Sequence, residues 1–176
     1  LATVKGIEAY FTQTLFDEDL NILEHAKGSV LLQRPGQFRW DYERPYPQSI
    51  VSNGKRLWVY DSELSQVTVT NIDESVQNSP SILLTSEAPV ETNFQVKEFT
   101  GLDGTMWIEL TPRSRDSTYV RIRIAFWDDE LRDMELFDHF GQITQFRFEL
   151  VNKNESIRDS EFNFIPPQGV DVVGDG

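Results

Sequence analysis

Apolar and polar residues alternate with a period of two over much of the chain. Phe38, Trp40 and Tyr42 interleave with Arg39, Asp41 and Glu43, and Val120, Ile122, Ile124 and Phe126 bracket Arg121 and Arg123. Met106, Ile108 and Leu110 repeat the pattern, as do Phe146, Phe148 and Leu150. Alternation of this kind predicts half-buried antiparallel strands with one apolar face and one wet face. Asn53-Gly54, Asp103-Gly104 and Asp128-Asp129-Glu130 fall between such runs at hairpin spacing, the first being the clearest turn signal. Two segments read as helical. Val4 and Ile7 stand three apart and continue toward Tyr10 and Phe11, which predicts a short helix over residues 1 to about 9. Asn78 to Ser86 predicts a second, with Ser79 as N-cap, Pro80 in the first turn and Ala88-Pro89 as the stop. The economical reading is one domain over residues 1–176, mainly β, a meander of roughly ten strands with a short helix.

Composition narrows the class. Hydrophobic residues are 39% and charged residues 26% of 176, which describes a folded chain with a substantial core. No run approaches the roughly 20 apolar residues of a membrane-spanning helix, and a soluble protein is expected. Sixteen basic against 29 acidic residues give a net charge of −13, which argues against nucleic acid and against electrostatic attachment to an anionic bilayer. The absence of cysteine removes disulfides, thiolate metal sites and a thiol nucleophile. No basic and apolar leader is visible, so a mature or trimmed form of an exported precursor is expected.

Catalytic motifs are missing. His25 and His139 have no second ligand at metal spacing, and neither a zinc-protease helix motif nor a nucleophile elbow occurs. Asp17-Glu18-Asp19-Leu20-Asn21 starts like a calcium loop, but Ile22 and Gly28 occupy the positions of the required glycine and glutamate. A solvated hairpin turn is the simpler account. No motif singles out a pair of carboxylates for glycoside hydrolysis. The Asn154-Glu155-Ser156 sequon carries no weight by itself. No cofactor or metal is expected, and no enzyme.

Arg34-Pro35-Gly36-Gln37-Phe38-Arg39-Trp40, followed by Gln48 to Lys55 and Leu57-Trp58-Val59-Tyr60-Asp61, resembles the outer-membrane lipoprotein carrier family. Phe11-Thr12-Gln13, Leu64 to Val69, Ser79-Pro80 with Leu83-Leu84, Gly141-Gln142, and Phe162-Asn163-Phe164-Ile165-Pro166-Pro167-Gln168-Gly169-Val170 extend the resemblance over nearly the whole chain. It implies an unclosed antiparallel β-barrel with an apolar cavity under a helical lid. It also implies a monomeric periplasmic carrier of acylated lipoproteins, loaded by an inner-membrane ABC transporter and unloaded at an outer-membrane receptor. By the same resemblance Arg34 is the lid latch, and Pro80, Ile82, Leu83 and Leu84 form the lid helix. Phe38, Trp40, Trp58, Ile108, Ile122, Ile124, Phe146 and Phe148 line the cavity and its mouth. The alternatives are the receptor of the same fold, which needs a lipidated N-terminal cysteine that these 176 residues do not contain and that a trimmed form would hide, and a β-domain with a filled core that binds other proteins. The high acidity and the short first helix depart from the expected pattern, and leave open how partners dock and whether the lid is complete.

Overall fold

In the computed structural model, residues 6–72, 80–153 and 157–174 are described. Twelve strands are found among them: β1 (Gly6–Phe16), β2 (Ile22–Gln33), β3 (Gln37–Arg44), β4 (Gln48–Asn53), β5 (Arg56–Asp61), β6 (Gln66–Asn71), β7 (Phe94–Thr100), β8 (Met106–Pro112), β9 (Tyr119–Trp127), β10 (Glu130–Asp138), β11 (Ile143–Lys153) and β12 (Asp171–Gly174). One α-helix, α1 (Pro80–Thr85), and a single 3-10 turn, Val90–Thr92, lie between β6 and β7 among the described residues. The strands form one unclosed sheet in the order β12-β6-β5-β4-β3-β2-β1-β11-β10-β9-β8-β7. The meander expected from the turns is therefore present, with two strands more than the alternation suggested. The β12 edge differs in kind, because β12 runs parallel to β6. No helix among the described residues is long and apolar enough to cross a membrane.

The N-terminal helix expectation is wrong for Gly6 onward. Ile7, Ala9 and Phe11 are buried while Tyr10 and Thr12 are exposed, so the apolar period there is two and the segment is β1. The i, i+3 spacing of Val4 and Ile7 misread this period; Val4 itself lies outside the described residues, as do Ser79 and the sequon. The hairpin turns follow their chemistry. Gly54 and Gly104 adopt φ of 93° and 86°, and Asp128 and Asp129 adopt 50° and 62°, the sign that two-residue hairpin turns demand.

The contacts divide the chain into two compact units. The first comprises residues up to Ala9, Lys27–Glu87 and from Asn152 onward, and the second Tyr10–Ala26 and Ala88–Val151. In the first, β3 to β6 bury both faces. Val51, Trp58, Val67 and Val69 form a core cluster on one face, with Tyr60, Phe164 and Val170 packed against it. The C-terminal segment is held there by an Arg39 Nη1 bond to Glu161 O at 3.4 Å and by Asn53 Nδ2 to Asn163 Oδ1 at 3.3 Å. In the second unit, Leu110, Ile122, Ile124, Met134, Leu136 and Phe146 are buried on one face of β8 to β11. Its other face carries ion pairs, Arg147 Nε to Asp133 at 3.2 Å and Arg123 Nε to Glu109 at 3.6 Å.

Candidate functional site

Pairing register decides which of the expected residues share a face. In the first unit Phe38 pairs with Leu32 and Ser52, and Trp40 with Val30 and Ile50. Phe38, Trp40, Val30 and Leu32 therefore form a continuous apolar row, and all four are buried. On β5 the residue facing with Trp40 is Val59, because Ile50 pairs with Val59. Trp58 pairs with Val51, one position out of step, and sits on the opposite face in the cluster packed by the C-terminal segment. The grouping of Trp58 with Phe38 and Trp40 is thus corrected. Side chains alternate faces at every residue, so a single position in the Asn53-Gly54 connection decides the outcome.

In the second unit the register joins the expected residues across strands. Ile108 pairs with Ile124, Ile124 with Met134 and Met134 with Phe146, giving one cross-strand apolar row. A second row runs from Leu110 through Ile122 to Leu136. Phe148 lies two residues beyond Phe146 with the two rings stacked at 6.4 Å, and Phe11 lies 6.1 Å from Phe146. Ile108, half-buried, marks the more accessible end of its row.

Helix α1 packs against β3 of its own unit. Ile82 and Leu84 are buried and Leu83 is half-buried; Pro80 opens the helix. Six residues are too few for helical stability of their own, so the helix depends on its attachments. Its C-terminal end is held by Gly36, whose N–H donates to Thr85 O at 3.0 Å. Gly36 has a φ of 66° and lies in the turn between β2 and β3, where a left-handed residue lets the backbone turn toward the helix. The turn is braced in its own right. The Ser52 hydroxyl donates to Gly36 O at 2.9 Å and accepts from Gly54 N at 3.1 Å, coupling the β2–β3 turn to the Asn53-Gly54 turn. Inside the helix the Thr85 hydroxyl returns to Ser81 O at 3.0 Å.

Arg34 stands two residues before Gly36, half-buried at the start of this turn. Burial pulls its guanidinium below the ordinary arginine value, and the nearby charge of Glu87, just past the helix, opposes that shift. Gly36 joins turn and helix through its backbone, a device the sequence did not point to. Ser52 was equally hidden: a serine before Asn-Gly reads as turn chemistry, and only its complete burial marks it as a brace. Among the described residues no cluster of three or more histidine or carboxylate side chains is arranged to hold a metal ion.

The chain matches the family model described as outer membrane lipoprotein carrier protein LolA over residues 2–165. It is 42% identical to the outer-membrane lipoprotein carrier protein of Nitrosospira multiformis, over 99% of this chain and 85% of that one. Identity to the proteins of the same name is 36% in Dechloromonas aromatica, over 99% and 84%, and 39% in Methylococcus capsulatus, over 99% and 84%. Solved structures share the fold at low identity. An uncharacterized conserved protein from Thermus thermophilus superposes with a TM-score of 0.59 at 13% identity, over 98% of this chain and 91% of that one. A LolA superfamily protein from Nitrosomonas europaea does so with a TM-score of 0.51 at 12% identity, over 92% and 91%. By the extent of the family match and these identities, the chain belongs to the outer-membrane lipoprotein carrier protein family, LolA.

Proposed function

We propose that this protein is a periplasmic carrier, without enzymatic activity, that holds the acyl chains of lipoproteins against its apolar rows. It receives them from an inner-membrane ABC transporter and passes them to an outer-membrane receptor. Family membership supports the lipoprotein cargo. The observation that carries the mechanism is a six-residue helix whose C-terminal end is tied by a backbone bond to the turn beside the Phe38–Trp40 row.

The physical demand is large. An acyl chain of about 15 methylenes costs roughly 12 kcal/mol to expose to water. An offset of that size needs an extended apolar lining, and each unit offers one: the row through Phe38 and Trp40 in the first, and the rows through Ile108, Ile122, Ile124, Phe146 and Phe148 in the second. Phe38 and Trp40 are buried in this conformation and α1 packs on their strand, so lipid reaches that row when α1, with Ile82, Leu83 and Leu84, gives way. So short a helix has little stability of its own, and the population of its open state sets the apparent affinity. Arg34 is assigned to steady the helix end: its charge favours the C-terminal carbonyls, and its five donors can exchange one carbonyl for another as the helix moves.

Titration with an apolar fluorescent probe, competed by a triacylated lipopeptide and repeated on Arg34→Leu, tests this. Saturable binding displaced by the lipopeptide, with altered release in the variant, is expected. No saturable binding by the native chain would leave a β-domain with a filled core and overturn the carrier mechanism.

A further inference from the structure

Two hairpin turns of the second unit are built to one plan. Asp17–Asn21 joins β1 to β2, and Asp138–Gln142 joins β10 to β11. Each is closed by the first residue donating its N–H to the fifth residue's carbonyl, at 2.9 Å for Asp17 to Asn21 and 3.1 Å for Asp138 to Gln142. In each, the opening aspartate accepts the N–H groups two and four residues on: Asp19 and Asn21 at 2.9 and 2.8 Å, Phe140 and Gln142 at 2.8 and 3.0 Å. In each the fourth residue is left-handed. At Gly141, with φ 81°, that suits the residue; at Leu20, with φ 64°, a bulky side chain is held where glycine is favoured.

The two turns touch, since a Cβ placed on Gly141 would come within 3.1 Å of Glu18 Cβ. Around this contact large apolar side chains stand in solvent: Leu20 is 66% exposed, Ile22 56%, Leu23 52% and Phe140 82%. Neither burial nor backbone preference explains Leu20, so the folded state alone gives no reason for it. The aspartate-braced turns hold Leu20 and Phe140 outward and fixed, so little side-chain and loop entropy remains to be lost on contact. Rigid apolar anchors of this kind are what binding hot spots are made of.

The charge around them selects the occupant. Residues 6–26 and 133–146 contain no lysine or arginine, and Glu18, Asp19 and Glu24 are exposed beside the apolar group. The β8–β9 connection, which His139 touches at Ser117 O at 2.7 Å, brings the exposed Arg115 together with Asp116, so the acidic excess stands. A like-charged copy of the same tip would be repelled, and an anionic lipid surface likewise. We propose that this paired tip is a docking surface for a protein partner presenting an apolar pocket rimmed by lysine and arginine. It is a separate site from the lipid-holding rows and does not depend on the cargo reading.

The test places p-benzoylphenylalanine at position 140 of the full chain in cells of the source organism, with the same probe at the exposed Leu64 of the first unit as control. After irradiation the adduct is identified by mass spectrometry. The expected result is one protein, linked through a peptide rich in lysine and arginine, formed from position 140 and not from Leu64, and reduced at least about tenfold by Leu20→Ser. Its yield should fall as salt in a lysed preparation rises from about 50 to 300 mM. Adducts to lipid, to a second copy of this chain, to the same protein from Leu64, or no adduct would each overturn the proposal. Lipopeptide binding by Leu20→Ser should equal that of the native chain, which separates a lost docking surface from a lost cargo site.

Discussion

Replacing Ser52 by alanine should loosen the attachment of α1 without touching the helix. Ser52 is fully buried, and its hydroxyl both donates to Gly36 O at 2.9 Å and accepts from Gly54 N at 3.1 Å. Each bond contributes about 0.5–1.5 kcal/mol net, and a buried group left without its partner costs more than the bond alone. Gly54 is exposed and can turn to water, whereas the half-buried Gly36 carbonyl recovers less. The expected loss is therefore about 1–2 kcal/mol, or a fall in Tm of roughly 3–6 °C for a chain of this size. Urea unfolding should show a lower midpoint at unchanged slope. Because Gly36 also donates to Thr85 O, amide exchange at Gly36 should quicken along with the helix amides. Ser62→Ala is the control: that hydroxyl bonds Pro47 O at 3.2 Å in an exposed setting and should cost under about 0.5 kcal/mol. Stability within about 0.3 kcal/mol of the native value, with unchanged Gly36 exchange, would refute the brace.

Three further outcomes are expected. Leu20→Gly relieves the left-handed conformation and should raise stability by about 1 kcal/mol in thermal unfolding, while Leu20→Ser should not. Gly28→Ala places a Cβ into the Asp41 carbonyl at the irregularity between Lys27 and Gly28, and should cost about 1–3 kcal/mol by urea unfolding or abolish soluble protein. Burial raises the Glu135 carboxyl above 4.5, with the nearby Asp133 adding to the rise and Arg123 and Arg121 opposing it. The folded state then holds its proton more tightly than the unfolded chain, so ionisation costs stability as pH rises from 4.5 through the folded value. Glu135→Gln should be the more stable protein at pH 7, with the difference vanishing below pH 4.5 in melts across pH.

The sheet was legible because its alternation is strict and its turns carry Asn-Gly and Asp-Gly. The errors have specific physical origins. Ile7, Ala9 and Phe11 were masked by the accidental three-residue spacing of Val4 and Ile7. Trp58 reads as a neighbour of Trp40 from sequence because alternation within a strand says nothing about how a hairpin connection sets parity between strands. Face sharing by Ile108, Ile124 and Phe146 could be suspected from their separate strands, but their common row with Met134 exists only through register. The Gly36–Thr85 bond was invisible because it joins two backbone groups far apart in sequence, with no side-chain signature. The Asp17 segment read correctly as a solvated turn, while its likeness to the Asp138 turn emerged only when both were closed by the same bonds.

The most direct test of the account is photolabelling with a triacylated lipopeptide whose acyl chains carry a diazirine, followed by peptide mapping. Labels should fall on peptides containing Phe38 and Trp40, Ile108, Ile122 and Ile124, Phe146 and Phe148, and on α1, and spare Trp58. Excess unlabelled lipopeptide should suppress them. Labelling confined to exposed residues such as Leu102 and Ile165, or labelling that no competitor suppresses, would contradict it.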